Sequence, residues 1–117
     1  MKRMLIVDDE PDLCDCLAQF FQARGFAITV AFSGEEALEQ LREGGVDVAL
    51  LDIKLPGIHG LEVLKQIKAR YPDSRVVMVT GLLQPELRLT ANRYGACDYI
   101  TKPFDFSEET WASVLEA

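Results

Sequence analysis

Met4-Leu5-Ile6-Val7-Asp8-Asp9-Glu10-Pro11 is the stretch that decides the fold. Four apolar residues run without alternation, then the chain turns abruptly to acids and a proline. A short unbroken apolar run reads as a strand covered on both faces, as in a parallel sheet. Pro11 suits the first turn of a helix, where no intrahelical N–H is needed. The segment is therefore a buried strand, an acidic loop and a helix start.

The same order recurs along the chain. Strands are expected over 3–8, 27–32, 47–52, 75–80 and 97–101, with helical spacing between them. In the first helix Leu13, Leu17, Phe20 and Phe21 line one face, and Gly25 suits its end. Ser33-Gly34-Glu35-Glu36 reads as a capping box, followed by Ala37, Leu38 and Leu41 facing inward and Gly44-Gly45 as the stop. Gly60 precedes a third helix, with Leu61, Leu64 and Ile67 inward and Pro72 beyond it. Pro85 opens a fourth, whose face carries Leu87, Ala91 and Tyr94. Ser107 caps a fifth, with Glu108 and Glu109 at the positive end of its dipole.

Strict strand–helix alternation over 117 residues, with no repeat or linker, implies one α/β domain over 1–117. The expectation is a doubly wound, flavodoxin-like (βα)5 three-layer sandwich with strand order 2-1-3-4-5. In that order strands 1 and 3 are neighbours. Asp8 and Asp9 then stand beside Asp52, with Thr80 and Lys102 along the same edge, where such sheets bind ligands.

Composition narrows the function. A formal net charge of −7 argues against this domain gripping a nucleic-acid backbone by itself. No apolar run is long enough to span a bilayer, and Met1-Lys2-Arg3 does not open a signal peptide, so a cytoplasmic location is expected. Cys14, Cys16 and Cys97 have neither disulfide-framework nor zinc spacing and read as buried or partly buried thiols.

The acids carry the chemistry. Two unit charges about 5 Å apart repel by roughly 3 kcal/mol at an effective dielectric of 20, so protons or a cation must sit among them. Oxygen-only ligands suit Mg²⁺, and a carboxylate beside it can attack phosphorus to give an aspartyl phosphate. Lys102 would offset charge on the transferring group, and the Thr80 hydroxyl can donate to a phosphoryl oxygen.

Four strings at expected strand ends then line up: Val7-Asp8-Asp9-Glu10, Leu51-Asp52-Ile53-Lys54-Leu55-Pro56-Gly57-Ile58-His59-Gly60, Val79-Thr80-Gly81, and Gly95-Ala96-Cys97-Asp98-Tyr99-Ile100-Thr101-Lys102-Pro103-Phe104. Together they resemble a receiver domain of the two-component response-regulator family. The resemblance implies that Asp52 is the phosphoacceptor, supplied by a histidine kinase or phosphotransfer protein. It implies that Asp9, Asp52 and the Lys54 carbonyl ligate Mg²⁺, with Asp8 acting mainly through water. Thr80 and Tyr99 match a switch pair, Lys102 a phosphoryl partner, and Pro103 a position usually preceded by a cis peptide bond. Output is expected on the face of helix 4, strand 5 and helix 5, read by an effector domain or protein, possible homodimerisation included.

Some residues stand apart from that pattern. Leu82 is bulky where many relatives are small or polar, and is expected to hinder the water that removes the phosphoryl group. Leu82, Leu83 and Leu89 offer either a partner surface or local packing. Trp111, if on the output face, would report on activation by fluorescence. His59 reads as an exposed loop residue, and Gly57 and Gly60 as servants of backbone geometry. The chain reads as either a single-domain receiver or a piece of a longer regulator. An aspartyl-phosphate phosphohydrolase is the alternative, but it needs an acid where Lys54 stands. A flavodoxin-like cofactor site is disfavoured by Asp8-Asp9-Glu10-Pro11-Asp12, which would repel a phosphate.

Overall fold

A computed structural model describes residues 1–116; Ala117, the last residue of the expected domain, lies outside the described residues. The chain alternates β1 (Lys2–Val7), α1 (Pro11–Gln22), β2 (Phe26–Ala31), α2 (Gly34–Gln40), β3 (Val48–Leu51), α3 (Gly60–Arg70), β4 (Arg75–Thr80), α4 (Pro85–Arg93), β5 (Asp98–Thr101) and α5 (Ala112–Leu115). All strand pairs are parallel and the order is β2-β1-β3-β4-β5, as the alternation predicted.

Successive side chains of a strand point to opposite faces, so each unbroken apolar strand feeds two cores. Met4 and Ile6 pack with Cys14, Leu17 and Phe21 of α1 and with Trp111 and Val114. Leu5 and Val7 pack on the other face with Ala37, Val63, Leu64, Ile67 and Ala91 from α2, α3 and α4. The edge strand β2 is the exception, being only part-buried at Ala27, Ile28 and Val30. Ser33 caps α2 by accepting the Glu36 N–H at 3.1 Å. His59 caps α3 in the same way, its Nδ1 accepting the Leu61 N–H at 3.2 Å, a structural role for an exposed imidazole.

Three expectations need correction. The regular part of the fifth helix begins at Ala112 and not directly after Ser107. Ser107 Oγ does accept the Thr110 N–H at 3.1 Å, as a cap would, but residues 108–111 form turns and only Ala112–Leu115 is helical. The Asp105 Oδ1 accepts from the Ser107 N–H, the Ser107 hydroxyl and the Thr110 hydroxyl. Those bonds lower the Asp105 carboxyl to about 2. Tyr94 is not on the inner face of α4; it is 37% exposed, with the Lys65 ammonium 5.1 Å from its ring centre. Cys16 and Cys97 are exposed, and only Cys14 is buried.

Trp111 does not reach the surface. It is wholly buried beneath α1, edge-to-face with Phe21 (5.4 Å) and Phe104 (4.9 Å), and its Nε1 donates to the Asp105 carbonyl at 2.8 Å. Aromatic payload in a packed core is worth several kcal/mol. Trp111→Ala should lower stability in urea titration by about 3–5 kcal/mol, and Trp111→Phe by less, because the ring contacts partly survive.

Candidate functional site

Strand register builds the site. Val7 is opposite Leu51, so the residues that follow, Asp8 and Asp52, emerge side by side. Their amides extend the ladder: the Asp52 N–H donates to the Val7 carbonyl (3.0 Å) and the Asp8 N–H to the Ala31 carbonyl (3.1 Å). On the other side Thr80 is opposite Thr101, and the Lys102 N–H donates to the Thr80 carbonyl at 2.8 Å. The peptide bond between Lys102 and Pro103 is cis.

The Lys102 ammonium donates to Asp8 Oδ2 at 2.7 Å and to Asp52 Oδ2 at 2.9 Å, and lies 3.6 Å from Glu10 Oε1. Asp8 is 2% and Asp52 6% exposed, and a buried carboxylate needs a partner to stay charged. Burial pushes the Asp8 carboxyl above its ordinary value, although Lys102 and the Glu10 N–H pull the other way. Burial also works against charge on Lys102, but its bonds to Asp8 and Asp52 outweigh that and raise its pKa. The two directions agree physically: one ammonium gains from two carboxylates, while each carboxylate has only a share of it. Below them the Cys14 thiol, pushed by burial to about 11, donates to the Asp8 carbonyl at 3.5 Å.

Asp9, Asp52, Lys54, Thr80, Leu82 and Lys102 line an open cleft of about 430 Å³. Carboxylate oxygens of Asp8, Asp9 and Glu10 lie within 4.8 Å of one another, an all-oxygen set that fits a hard divalent cation. Glu10 was absent from the ligands read in the sequence, although the string Asp8-Asp9-Glu10 contained it. Asp52 joins this trio through Lys102. The Lys54 N–H approaches Asp52 Oδ1 at 3.4 Å. Thr80 is fully buried, and its Oγ1 accepts the Leu82 N–H at 3.3 Å. Tyr99 is 8% exposed and points inward, its hydroxyl donating to the Leu82 carbonyl at 2.7 Å. The structure thus brings together Asp8, Asp9, Asp52, Lys54, Thr80 and Lys102, and connects Tyr99 to them through Leu82.

A family profile described as "Response regulator receiver domain" matches residues 4–111. The chain belongs to the response-regulator receiver family. It is 40% identical over 108 residues to the sensory transduction protein RegX3 of Mycolicibacterium smegmatis, covering 92% of this chain and 47% of that one. It is 35% identical to the transcriptional regulatory protein ZraR of Salmonella typhimurium, over 96% of this chain and 26% of that one. The chain therefore spans about half, or less, of the curated relatives it matches.

Among solved structures, a CheY-like receiver domain protein of Methanospirillum hungatei superimposes with a TM-score of 0.92 at 31% identity, over 99% of this chain and 94% of that one. The response regulator TrrA of Thermotoga maritima, solved in complex with Mg²⁺ and beryllium fluoride, gives a TM-score of 0.83 at 36% identity, over 98% of this chain and 99% of that one. This is a receiver domain of a two-component response regulator. Among the described residues no helix is long and apolar enough to cross a membrane.

The raised Asp8 pKa has a consequence for the fold. The folded state holds that proton more tightly than the unfolded chain, so wild type loses stability as pH rises through the Asp8 pKa. In chelator, Asp8→Asn should unfold a few degrees higher than wild type at pH 7. That gap should close as pH falls through the Asp8 pKa toward its ordinary value; thermal melts across acid and neutral pH check both.

Proposed function

We propose that this receiver accepts a phosphoryl group on Asp52 from a histidine kinase or phosphotransfer protein, and so acts as a switch and not as a turnover enzyme. The observation that carries the reading is the pairing of Asp52 with Lys102 at the mouth of a cleft beside three further carboxylates. An Asp52 oxygen attacks phosphorus in line as the bond from phosphorus to the donor breaks, and the donor leaves with that electron pair. Mg²⁺ held by Asp9, Asp52 and the Lys54 carbonyl, with Asp8 acting through water and Glu10 nearby, would neutralise charge on the transferring group.

The remaining work falls to the chain's own groups. Lys102 already bridges Asp8 and Asp52, so it can exchange one carboxylate oxygen for a phosphoryl oxygen with little movement. Asp8, held by the Glu10 N–H at 3.0 Å, keeps the ammonium over the cleft. The Thr80 hydroxyl has a proton to offer a phosphoryl oxygen, and turning toward it weakens the bond from Leu82. The Leu82 backbone holds Thr80 by its N–H and Tyr99 by its carbonyl, which links input to the aromatic on β5. Tyr99 lies under Arg88 of α4, whose guanidinium is 5.6 Å from the ring centre.

Switching is then a shift between states in which this link is differently made. The output face is that of α4, β5 and α5; Leu89 of α4 and Leu83, in the loop just before α4, stand exposed. An effector domain or protein, or a second copy of the chain, reads that face in the cytoplasm. With a formal net charge of −7, this domain does not itself grip nucleic acid.

Acetyl phosphate with Mg²⁺ should add about 80 Da to the wild-type chain, the mass of one phosphoryl group. Asp52→Asn should abolish the adduct; an unchanged adduct in that variant would remove Asp52 as acceptor. Leu82, half-buried at the cleft, should restrict the attacking water, so Leu82→Asn should shorten the phosphoryl half-life several-fold. A half-life equal to or longer than wild type refutes the assignment of Leu82.

A further inference from the structure

We infer that Glu35, on α2 and outside the cleft, is a positioning residue for the loop that follows Asp52. The inference rests on the phosphoacceptor reading of that loop. The loop leaves β3 at Asp52, whose Oδ1 is approached by the Lys54 N–H. It returns at Gly60, which packs so closely on the Asp52 carbonyl that a Cβ would have no room. Its N–H donates to the Ile53 carbonyl at 2.8 Å, which closes the loop on itself.

Between those points the chain passes through Gly57 at φ 76°, a left-handed conformation. There the Glu35 carboxylate reaches across 23 positions of sequence and accepts the Ile58 N–H at 3.2 Å. The same carboxylate occupies the space into which a Cβ on Gly57 would project. Glycine at 57 thus admits both the backbone turn and the approach of Glu35.

The base that carries Glu35 is itself held. Ser33 caps α2, Ala37 and Leu41 are buried, and Gly34 abuts Ile58 and Val63 without space for a side chain. Leu55 and Ile58 are packed on the same core. The loop is therefore fixed at Asp52 and Gly60 by β3 and α3, and at its middle by α2. Releasing the middle frees the segment that carries Lys54, and with it the backbone expected to face Mg²⁺ and the phosphoryl group.

The test uses the full chain as wild type, Glu35→Ala, Glu35→Gln and Glu36→Ala. Each is measured for Mg²⁺ affinity by titration, for kcat/KM of phosphorylation by acetyl phosphate, and for hydrogen exchange of the Ile58 amide. One hydrogen bond to a positioned loop should change Mg²⁺ affinity and kcat/KM about fivefold, so Glu35→Ala should lose that factor and exchange the Ile58 amide faster. Glu35→Gln keeps an acceptor and should stay within about twofold of wild type, as should Glu36→Ala on the same turn. Wild-type Mg²⁺ affinity and Ile58 exchange in Glu35→Ala overturn the inference. So does an equal loss in Glu36→Ala, which would make the effect one of helix stability, or an equal loss in Glu35→Gln. If wild type itself takes no phosphoryl group, the phosphoacceptor reading falls first and this inference with it.

Discussion

Two buried carboxylates share one ammonium, and the rest of this site follows from that constraint. Asp8 and Asp52 arrive at the same point because β1 and β3 are parallel neighbours in register. Burial strips both of water, and Lys102, one residue past β5, reaches both. The compensation is incomplete, since Asp9 and Glu10 add further negative charge beside it. That surplus is an oxygen-rich set of the kind that fits a divalent cation, and under the proposed function Lys102 is placed to meet an incoming phosphoryl group.

The sheet ties this edge to two different surroundings. On one face Lys102 continues through Pro103 into Phe104, which abuts Trp111 and, through it, Phe21 of α1. On the other face Thr80 and Tyr99 bond to the two sides of the Leu82 backbone, Thr80 to its N–H and Tyr99 to its carbonyl. The first surrounding is dense and aromatic and serves as a fixed frame. The second is a pair of part-buried hydrogen bonds beside α4. The proposed switch would use both: the packed frame as a seat for the acids, and the link through Leu82 as the part that changes.

Much of this was legible in the sequence, for identifiable reasons. Short unbroken runs such as Val48-Ala49-Leu50-Leu51, bounded by turn residues, read as strands buried on both faces, and alternation with helices then leaves few topologies. Strand limits moved by a residue, so that Asp8 and Asp52 lie just past β1 and β3, where their side chains are free to turn into the cleft. Other features were out of reach. Ser107 looks like a helix cap and does accept the Thr110 N–H, yet the residues after it form turns before the helix begins at Ala112. Trp111 carries no mark of which face it will choose; packing against Phe21 and Phe104 decides that. Glu35 is one of two adjacent glutamates in a capping motif, and nothing local says that it reaches Ile58.

What the sequence by itself determined is the order of elements, the inward face of the regular strands and of most helices, and the chemical types gathered at the strand ends. These are set by periodicities of one strand or one helix, which depend on neighbours in the chain. What only the tertiary structure decided is who pairs with whom: Lys102 with Asp8 and Asp52, Tyr99 with the Leu82 carbonyl, Glu35 with the loop after Asp52. Such pairs join residues 17 to 94 positions apart, and they depend on distances of a few ångströms that local preference does not encode.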